Sequence, residues 1–178
     1  MSKKLFFLPA LLLGAFLMFS PACGDSDPCK DVVCENADCF EGDCVCRVGF
    51  EKDANGNCVT PAIDKIAGAY SVVEDCSLSD PDAYLAAIVA VSGDTKKATI
   101  TNFWNLFKKP VNVTIDGQTK LIIARQDPDG DKFYVEGSGV ISTNAAGKTV
   151  ITFTYTVKDE TGPTVITDAC NSTVYTKN

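Results

Sequence analysis

Alternation of apolar and polar positions is the dominant pattern from residue 69 onward. The clearest run places Ile151, Phe153, Tyr155 and Val157 on one face, with threonine at each position between them. This two-residue period is typical of an antiparallel strand that is buried on one side and wet on the other. Nine segments rich in strand-forming residues predict strands at 69–75, 84–92, 97–103, 111–115, 119–125, 132–141, 149–158, 163–169 and 172–176.

Tight turns separate these segments and define the predicted architecture. Aspartate, asparagine, glycine and proline, the residues that close such turns, cluster at 116–117, 127–130, 144–147 and 160–163. Only 63–67 has the pattern of a helical turn. Eight or nine short strands within 61–178 predict a mainly β domain, either a closed antiparallel barrel or a β-sandwich.

The N-terminal segment has a different pattern, an apolar run over 5–19 that follows Lys3 and Lys4. A helix of that length, at about 1.5 Å per residue, falls short of a hydrocarbon core of about 30 Å. The run therefore favours an export signal, residues 1–22, over a transmembrane helix. Small residues at 20–22 precede Cys23, and this cleavage pattern alone is compatible with a freely secreted protein as well.

The cysteine count bears on that choice. Nine cysteines in 178 residues indicate an oxidising compartment, in which an unpaired exposed thiol is unusual. The segment Phe-Ser-Pro-Ala-Cys at 19–23 resembles the lipobox of bacterial lipoproteins, although Phe19 replaces the usual aliphatic residue. The resemblance implies a lipid anchor on Cys23, and it leaves eight cysteines for four bridges. Two or three acyl chains would hold the protein firmly on a membrane.

Residues 23–28 would then form a lipidated acidic tether. Residues 24–27 are similar to the acidic tags that direct some Gram-negative lipoproteins to the outer leaflet, and a plain solvated tether is the alternative. We expect the protein to lie in the cell envelope, anchored to the outer membrane. Exposure at the cell surface is compatible with this location.

Charge and composition exclude several classes of function. The chain has 16 basic and 23 acidic residues, a net charge of −7, and no cluster of lysine and arginine, which argues against nucleic acid as a partner. It contains no histidine, so the usual general base at neutral pH and the commonest zinc ligand are both missing. We therefore expect neither an enzyme nor a bound cofactor or metal.

Six cysteines fall close together, at 29, 34, 39, 44, 46 and 58. Their number alone allows fifteen connectivities. The spacing, with Cys-x-Cys-x-x-Gly-Phe at 44–50, resembles the EGF-like family over residues 29–58, and we assign 29–60 to such a module. That resemblance implies the bridges Cys29–Cys39, Cys34–Cys44 and Cys46–Cys58. A segment this short and this poor in large apolar residues needs cross-links in order to fold.

The start of the second domain, 61–178, also resembles a known family. Residues 65–70, Lys-Ile-Ala-Gly-Ala-Tyr, are similar to the lipocalin opening, a helical turn followed by glycine and an aromatic residue, with Tyr70 where that family usually has tryptophan. The resemblance implies a lipocalin-like barrel. Cys76 and Cys170 are the two cysteines left over, and a bridge between them would join the two ends of this domain.

Two segments invite a binding interpretation. The acidic stretch 127–131 looks like a calcium loop, but the spacing to Glu136 does not fit an EF-hand and a hairpin tip is favoured. Phe103, Trp104 and Phe107 form a possible ligand rim at a barrel mouth, with a loop that covers the core as the favoured alternative.

Two functions follow from these patterns. The first is a non-catalytic binding or interaction module on the envelope, whose partner is an unknown protein or glycan. The second is a lipocalin-like carrier or sensor of a small apolar ligand. A hollow barrel would favour the carrier, and an interior filled with side chains would argue against it.

Overall fold

The computed structural model describes residues 27–79 and 82–178. The predicted signal 1–22, the predicted lipid-bearing Cys23 and most of the tether lie outside these residues. The described chain is mainly β and has two parts, a small disulfide-rich module and a closed barrel.

The small module contains two short antiparallel pairs. Their strands are β1 (Ala37–Phe40) with β2 (Asp43–Cys46), and β3 (Phe50–Glu51) with β4 (Thr60–Pro61). Three disulfides hold it together: Cys29–Cys39, Cys34–Cys44 and Cys46–Cys58, the pairing that the resemblance implied. Its buried hydrophobic residues are Ala37 and Cys58 alone within this described module, so cross-links replace a hydrophobic core.

Eight antiparallel strands form the barrel, and each pairs with its neighbour in the chain. The strands are β5 (Gly68–Glu74), β6 (Asp82–Ala90), β7 (Lys97–Thr101), β8 (Val111–Asp116), β9 (Lys120–Gln126), β10 (Phe133–Thr143), β11 (Thr149–Asp159) and β12 (Ile166–Lys177). The pairing of β12 with β5, from Val174 opposite Val73 to Lys177 opposite Tyr70, closes the sheet. The fold is therefore the barrel that the alternation predicted, and the β-sandwich alternative is wrong.

The two predicted strands 163–169 and 172–176 are in fact one strand, β12. Its register against β11 shifts between Cys170, which faces Tyr155, and Thr173, which faces Phe153. Two residues of β12 thus oppose one of β11, which is a β-bulge. Asn171 and Ser172 are both exposed, so the buried positions of β12 shift by one residue. In the sequence this shift looks like the end of one strand and the start of another.

The predicted strand 97–103 is also shorter than expected. It ends at Thr101, and Phe103–Asn105 forms a 3₁₀ turn. The predicted helical turn is present as α1 (Ala62–Ile66).

Aromatic rings fill the centre of the barrel. Five of them are almost completely buried along its axis: Tyr70, Phe103, Phe153, Tyr155 and Tyr175. Strand β10 gives these rings space, because a Cβ on Gly139 would lie 2.6 Å from the Phe153 ring and one on Gly137 would lie 2.5 Å from the Tyr155 Cβ. The interior is packed with side chains, which is the arrangement of a core rather than of a hollow carrier.

Helix α1 covers one end of the barrel, and the small module packs at the same end. Ile63 and Ile66 are buried in the barrel core, and the Tyr70 hydroxyl donates a 2.6 Å hydrogen bond to the Ile66 carbonyl. The Gln118 side chain, on the turn from β8 to β9, donates to the Cys46 carbonyl at 3.2 Å. The Ala62 amide donates to the Gly49 carbonyl at 2.9 Å.

Candidate functional site

The opposite end of the barrel, here called the mouth, is formed by the loops that follow β5, β7, β9 and β11. These are Asp75–Ser79 together with 102–110, 127–132 and 160–165. Loops at the end of a rigid barrel are the usual position for binding residues. The mouth also faces away from the small module, since the module contacts the other end.

The loop 102–110 closes the mouth from inside. Phe103 points down the axis, with its ring centroid 4.6 Å from that of Tyr155 and 6.0 Å from that of Phe153. Phe107 is also buried. These two members of the predicted rim are core residues, in agreement with the favoured alternative. Only Trp104 is partly exposed, and it packs against Phe107 and Phe133 at centroid distances of 5.6 Å and 6.3 Å.

Trp104 has an unusual backbone conformation. Asn102, Trp104 and Asn105 have φ angles of 54°, 56° and 48°, in the left-handed region. A non-glycine residue there costs about 1–2 kcal/mol, and a bulky residue is rarely found there. Side-chain hydrogen bonds offset the strain: Asn102 donates to the Leu85 carbonyl at 2.8 Å, and Asn105 donates to the Asp82 carboxylate at 2.6 Å.

Asp129 fixes the other side of the same loop. Its carboxylate accepts the main-chain amides of Lys108 at 3.0 Å and Lys109 at 2.8 Å. Asp127 caps its own turn by accepting three amides, those of Gly130, Asp131 and Lys132. The acidic stretch 127–131 is therefore a hairpin tip that positions the aromatic loop.

Trp104 and Phe133 together separate two hollows at the mouth. The first, of about 210 Å³, is lined by apolar groups and two aspartates: Leu78, Ser79, Trp104, Phe133, Val157, Asp159, Ile166 and Asp168. The second, of about 190 Å³, is lined by Trp104, Leu106, Phe107, Asp129, Asp131 and Phe133. No basic residue lines either hollow among the residues that the structure describes. Exposed Leu78, Leu106 and Ile166 extend the apolar surface outward.

Asp168 is the most buried acid of the first hollow. Its carboxylate accepts hydrogen bonds from the Ser77 hydroxyl at 3.1 Å, the Leu78 amide at 2.8 Å and the Ser79 hydroxyl at 2.9 Å. Asp159 lies diagonally across from it on β11. Hydrogen bonds from the Thr161 side chain and main chain hold the pKa of Asp159 below its usual value. Asp159 is therefore ionised at neutral pH.

A second polar cluster lies beneath the mouth, inside the barrel. Glu74 is buried and accepts hydrogen bonds from the Tyr155 hydroxyl and, at 3.1 Å, from the Tyr84 hydroxyl. Burial raises the pKa of Glu74 against the opposing effect of these hydrogen bonds, and the charges of Asp82 and Asp168 raise it further. The nearby Thr173 and Tyr175 hydroxyls are buried without a hydrogen-bond partner in the described structure. Since this carboxyl is enclosed, a large substrate does not reach it.

Glu74 also lies beside the fourth disulfide, Cys76–Cys170. Its carboxylate and the two sulfurs are within 4.8 Å of one another, a spacing that suits a metal ion. The sulfurs are bonded to each other, however, so they are not the thiolates that bind metals. This group is a bridge with a neighbouring acid.

Sequence reasoning identified Trp104 but missed most of the residues that surround it. Phe133, Asp159 and Asp168 reach the mouth only through the register of β10, β11 and β12. One signal was available: Tyr70, Val72 and Glu74 alternate on β5, so an acid occupies an inward position. Asp168 follows the same rule on β12, where Cys170 also points inward.

No model of a known protein family matches the chain, and no curated protein is similar to it. Within the described residues, no helix has both the length and the apolar character needed to cross a membrane.

Proposed function

We propose that this chain is a lipid-anchored protein of the cell envelope that acts as a non-catalytic interaction module, with its partner bound at the mouth. The observation that carries the proposal is the contrast between the two parts of the barrel. The axis is filled by five buried aromatic rings, whereas the mouth holds a strained, partly exposed Trp104 between two hollows. Strain of this kind is concentrated at functional sites.

The position of the small module supports the same proposal. An anchor on Cys23 would attach the chain to the membrane a few residues before Asp27, where the described module begins. The module contacts the end of the barrel that carries α1, so the mouth lies at the end opposite the module. This orientation suits contact with a partner in solution or on an opposing surface.

The disulfide pattern supports assignment of the module to the EGF-like family, in which first pairs with third, second with fourth, and fifth with sixth. The eight-stranded closed barrel with a preceding helical turn supports a lipocalin-like assignment for 61–178. In the carrier alternative the ligand would occupy the axis, where Phe103, Phe153 and Tyr175 now pack. The filled interior therefore favours the interaction module.

Photo-crosslinking in intact cells tests the mouth as the contact surface. A photoreactive residue would replace Leu106, which is 64% exposed at the mouth, or, as the matched control, Val140, which is 57% exposed on the outer wall of β10. We expect a covalent adduct from Leu106 alone, with a protein that then binds the purified chain. Equal adducts from both positions would contradict the proposal.

The carrier alternative has its own readout. Saturable binding of a fluorescent fatty acid by the purified chain, abolished when Val72 on the inner wall is replaced by tryptophan, would favour a carrier. We expect no saturable binding.

A further inference from the structure

We infer that the first hollow of the mouth binds the guanidinium group of an arginine side chain presented by the partner, between Asp159 and Asp168. This inference deepens the proposed function and depends on it for the source of the arginine. The partner recognised in this way presents a basic protein segment.

The strand register places the two carboxylates as a pair. Asp159 on β11 is opposite Ile166 on β12, and Asp168 is two residues further along β12 on the same inner face. Diagonal neighbours of this kind are about 7–8 Å apart, somewhat less between their Cβ atoms. A planar guanidinium with five N–H donors can bridge two carboxylates at that separation, which a compact ammonium group does less well.

Both carboxylates keep acceptor capacity that the protein does not use. The Thr161 amide and hydroxyl both donate to Oδ1 of Asp159, at 2.9 Å and 2.6 Å, and no described residue donates to Oδ2. The Ser79 hydroxyl donates to Oδ2 of Asp168, which has room for a second donor. Neither aspartate forms an ion pair with a described residue.

The remaining walls of the hollow suit the rest of an arginine side chain. Trp104 and Phe133 offer aromatic faces, on which a guanidinium stacks favourably, and Val157 offers an aliphatic surface for the methylene stem. The cavity of about 210 Å³ is large enough for one such side chain and too small for an extended peptide. The partner would therefore insert one residue and lie across exposed Leu78 and Ile166.

The second hollow is a weaker candidate for the same group. Asp129 there already accepts two amides, and the Lys109 ammonium lies 3.5 Å from the Asp129 carbonyl, so a cation is close by. The first hollow has no such neighbour among its lining residues.

Trp104 is the only tryptophan of the chain, so its fluorescence reports on the site directly. The protein would be the exported chain carrying Cys23→Ser, titrated with a blocked pentapeptide of glycines around a central arginine. The same peptide with citrulline, which has the shape of arginine without its charge, serves as the matched ligand. We expect a saturable change with arginine and at least about tenfold weaker binding with citrulline, since hydrogen bonds between charged groups are lost.

A pair of variants locates the binding. Asp159→Asn should weaken binding of the arginine peptide about tenfold while the fold is retained, because an asparagine oxygen can still accept the Thr161 hydrogen bonds. Asp116→Asn at the opposite end of the barrel is the control. It should change the affinity less than about twofold, because the Asp116 carboxylate lies farther from the first hollow than the Debye length.

Equal affinity for arginine and citrulline, no saturable change with arginine, or equal effects of the two variants would each overturn the inference. Failure of the proposed function is recognised separately. If Leu106 crosslinks to a partner while arginine peptides do not bind, the inference is wrong and the proposed function stands. If arginine binds but no partner crosslinks at the mouth, the proposed function is wrong and the guanidinium site stands.

Discussion

Removal of the Cys76–Cys170 disulfide should strongly destabilise the barrel. The bridge joins residues separated by 94 positions, just beyond β5 and within β12. In the chain-entropy model a closed loop of that length stabilises the folded state by about 4–5 kcal/mol, because it restricts the unfolded chain. Both cysteines are buried, so replacement by alanine adds a small void to this cost.

The assay is thermal unfolding of the exported Cys23→Ser chain, with and without Cys76→Ala/Cys170→Ala, followed by circular dichroism. For a domain of this size we expect the midpoint to fall by on the order of 15 °C. The control is Cys46→Ala/Cys58→Ala, which opens a loop with a separation of 12 in the small module and should leave the barrel transition almost in place. Reductant should lower the midpoint of the parent by most of the same amount, because the reduced thiols lose the bridge but leave no void.

A Cys76/Cys170 variant that unfolded within about 3 °C of the parent, which corresponds to roughly 1 kcal/mol or less, would contradict this expectation. Peptide mapping of the unreduced parent must first find Cys76 joined to Cys170, so that an unchanged midpoint cannot be attributed to a missing bridge.

Three further predictions concern the barrel and the proposed anchor. Glu74→Gln should make the stability of the protein less dependent on pH. Burial raises the pKa of Glu74, so the parent loses stability as pH rises above about 4.5. Between about pH 5 and pH 8, the thermal midpoint should therefore fall more in the parent than in the variant. Gly139→Ala should destabilise the barrel by about 1–3 kcal/mol in denaturant unfolding, because its Cβ would meet the Phe153 ring, whereas Gly162→Ala, which meets nothing closer than 3.9 Å, should not. Cys23→Ser should move the protein from the membrane fraction to the soluble fraction, and a wild-type intact mass without acyl chains would contradict the proposed anchor.

The strands of the barrel could be predicted because each has one buried face, which imposes a period of two on the sequence. The same rule failed at β12, where the bulge at Asn171 and Ser172 interrupts the period without interrupting the strand. A bulge is a property of two paired strands, so the pattern of one strand does not reveal it.

The mouth was harder to predict than the walls. Three aromatic residues close together indicated a loop of interest, but which of them is exposed depends on the left-handed backbone at Asn102 and Asn105. Asparagine tolerates that conformation better than most residues, so the two asparagines were the available signal. The diagonal placement of Asp159 and Asp168 required the register of β11 on β12, which follows from the closed barrel and not from either segment alone.

If the chain is exported as we propose, the closure of the barrel by β5 and β12 also constrains the order in which it matures. A chain translocated with its N-terminus first delivers β5 long before β12, so one edge of β5 stays open until almost all of the barrel has crossed. The small module forms its bridges over separations of 10 to 12 residues and can be oxidised during that interval. The Cys76 thiol cannot form its native bridge until Cys170 has also crossed the membrane. Correct oxidation therefore requires either that Cys76 stays reduced until β12 arrives, or that an isomerase later releases it from a premature partner.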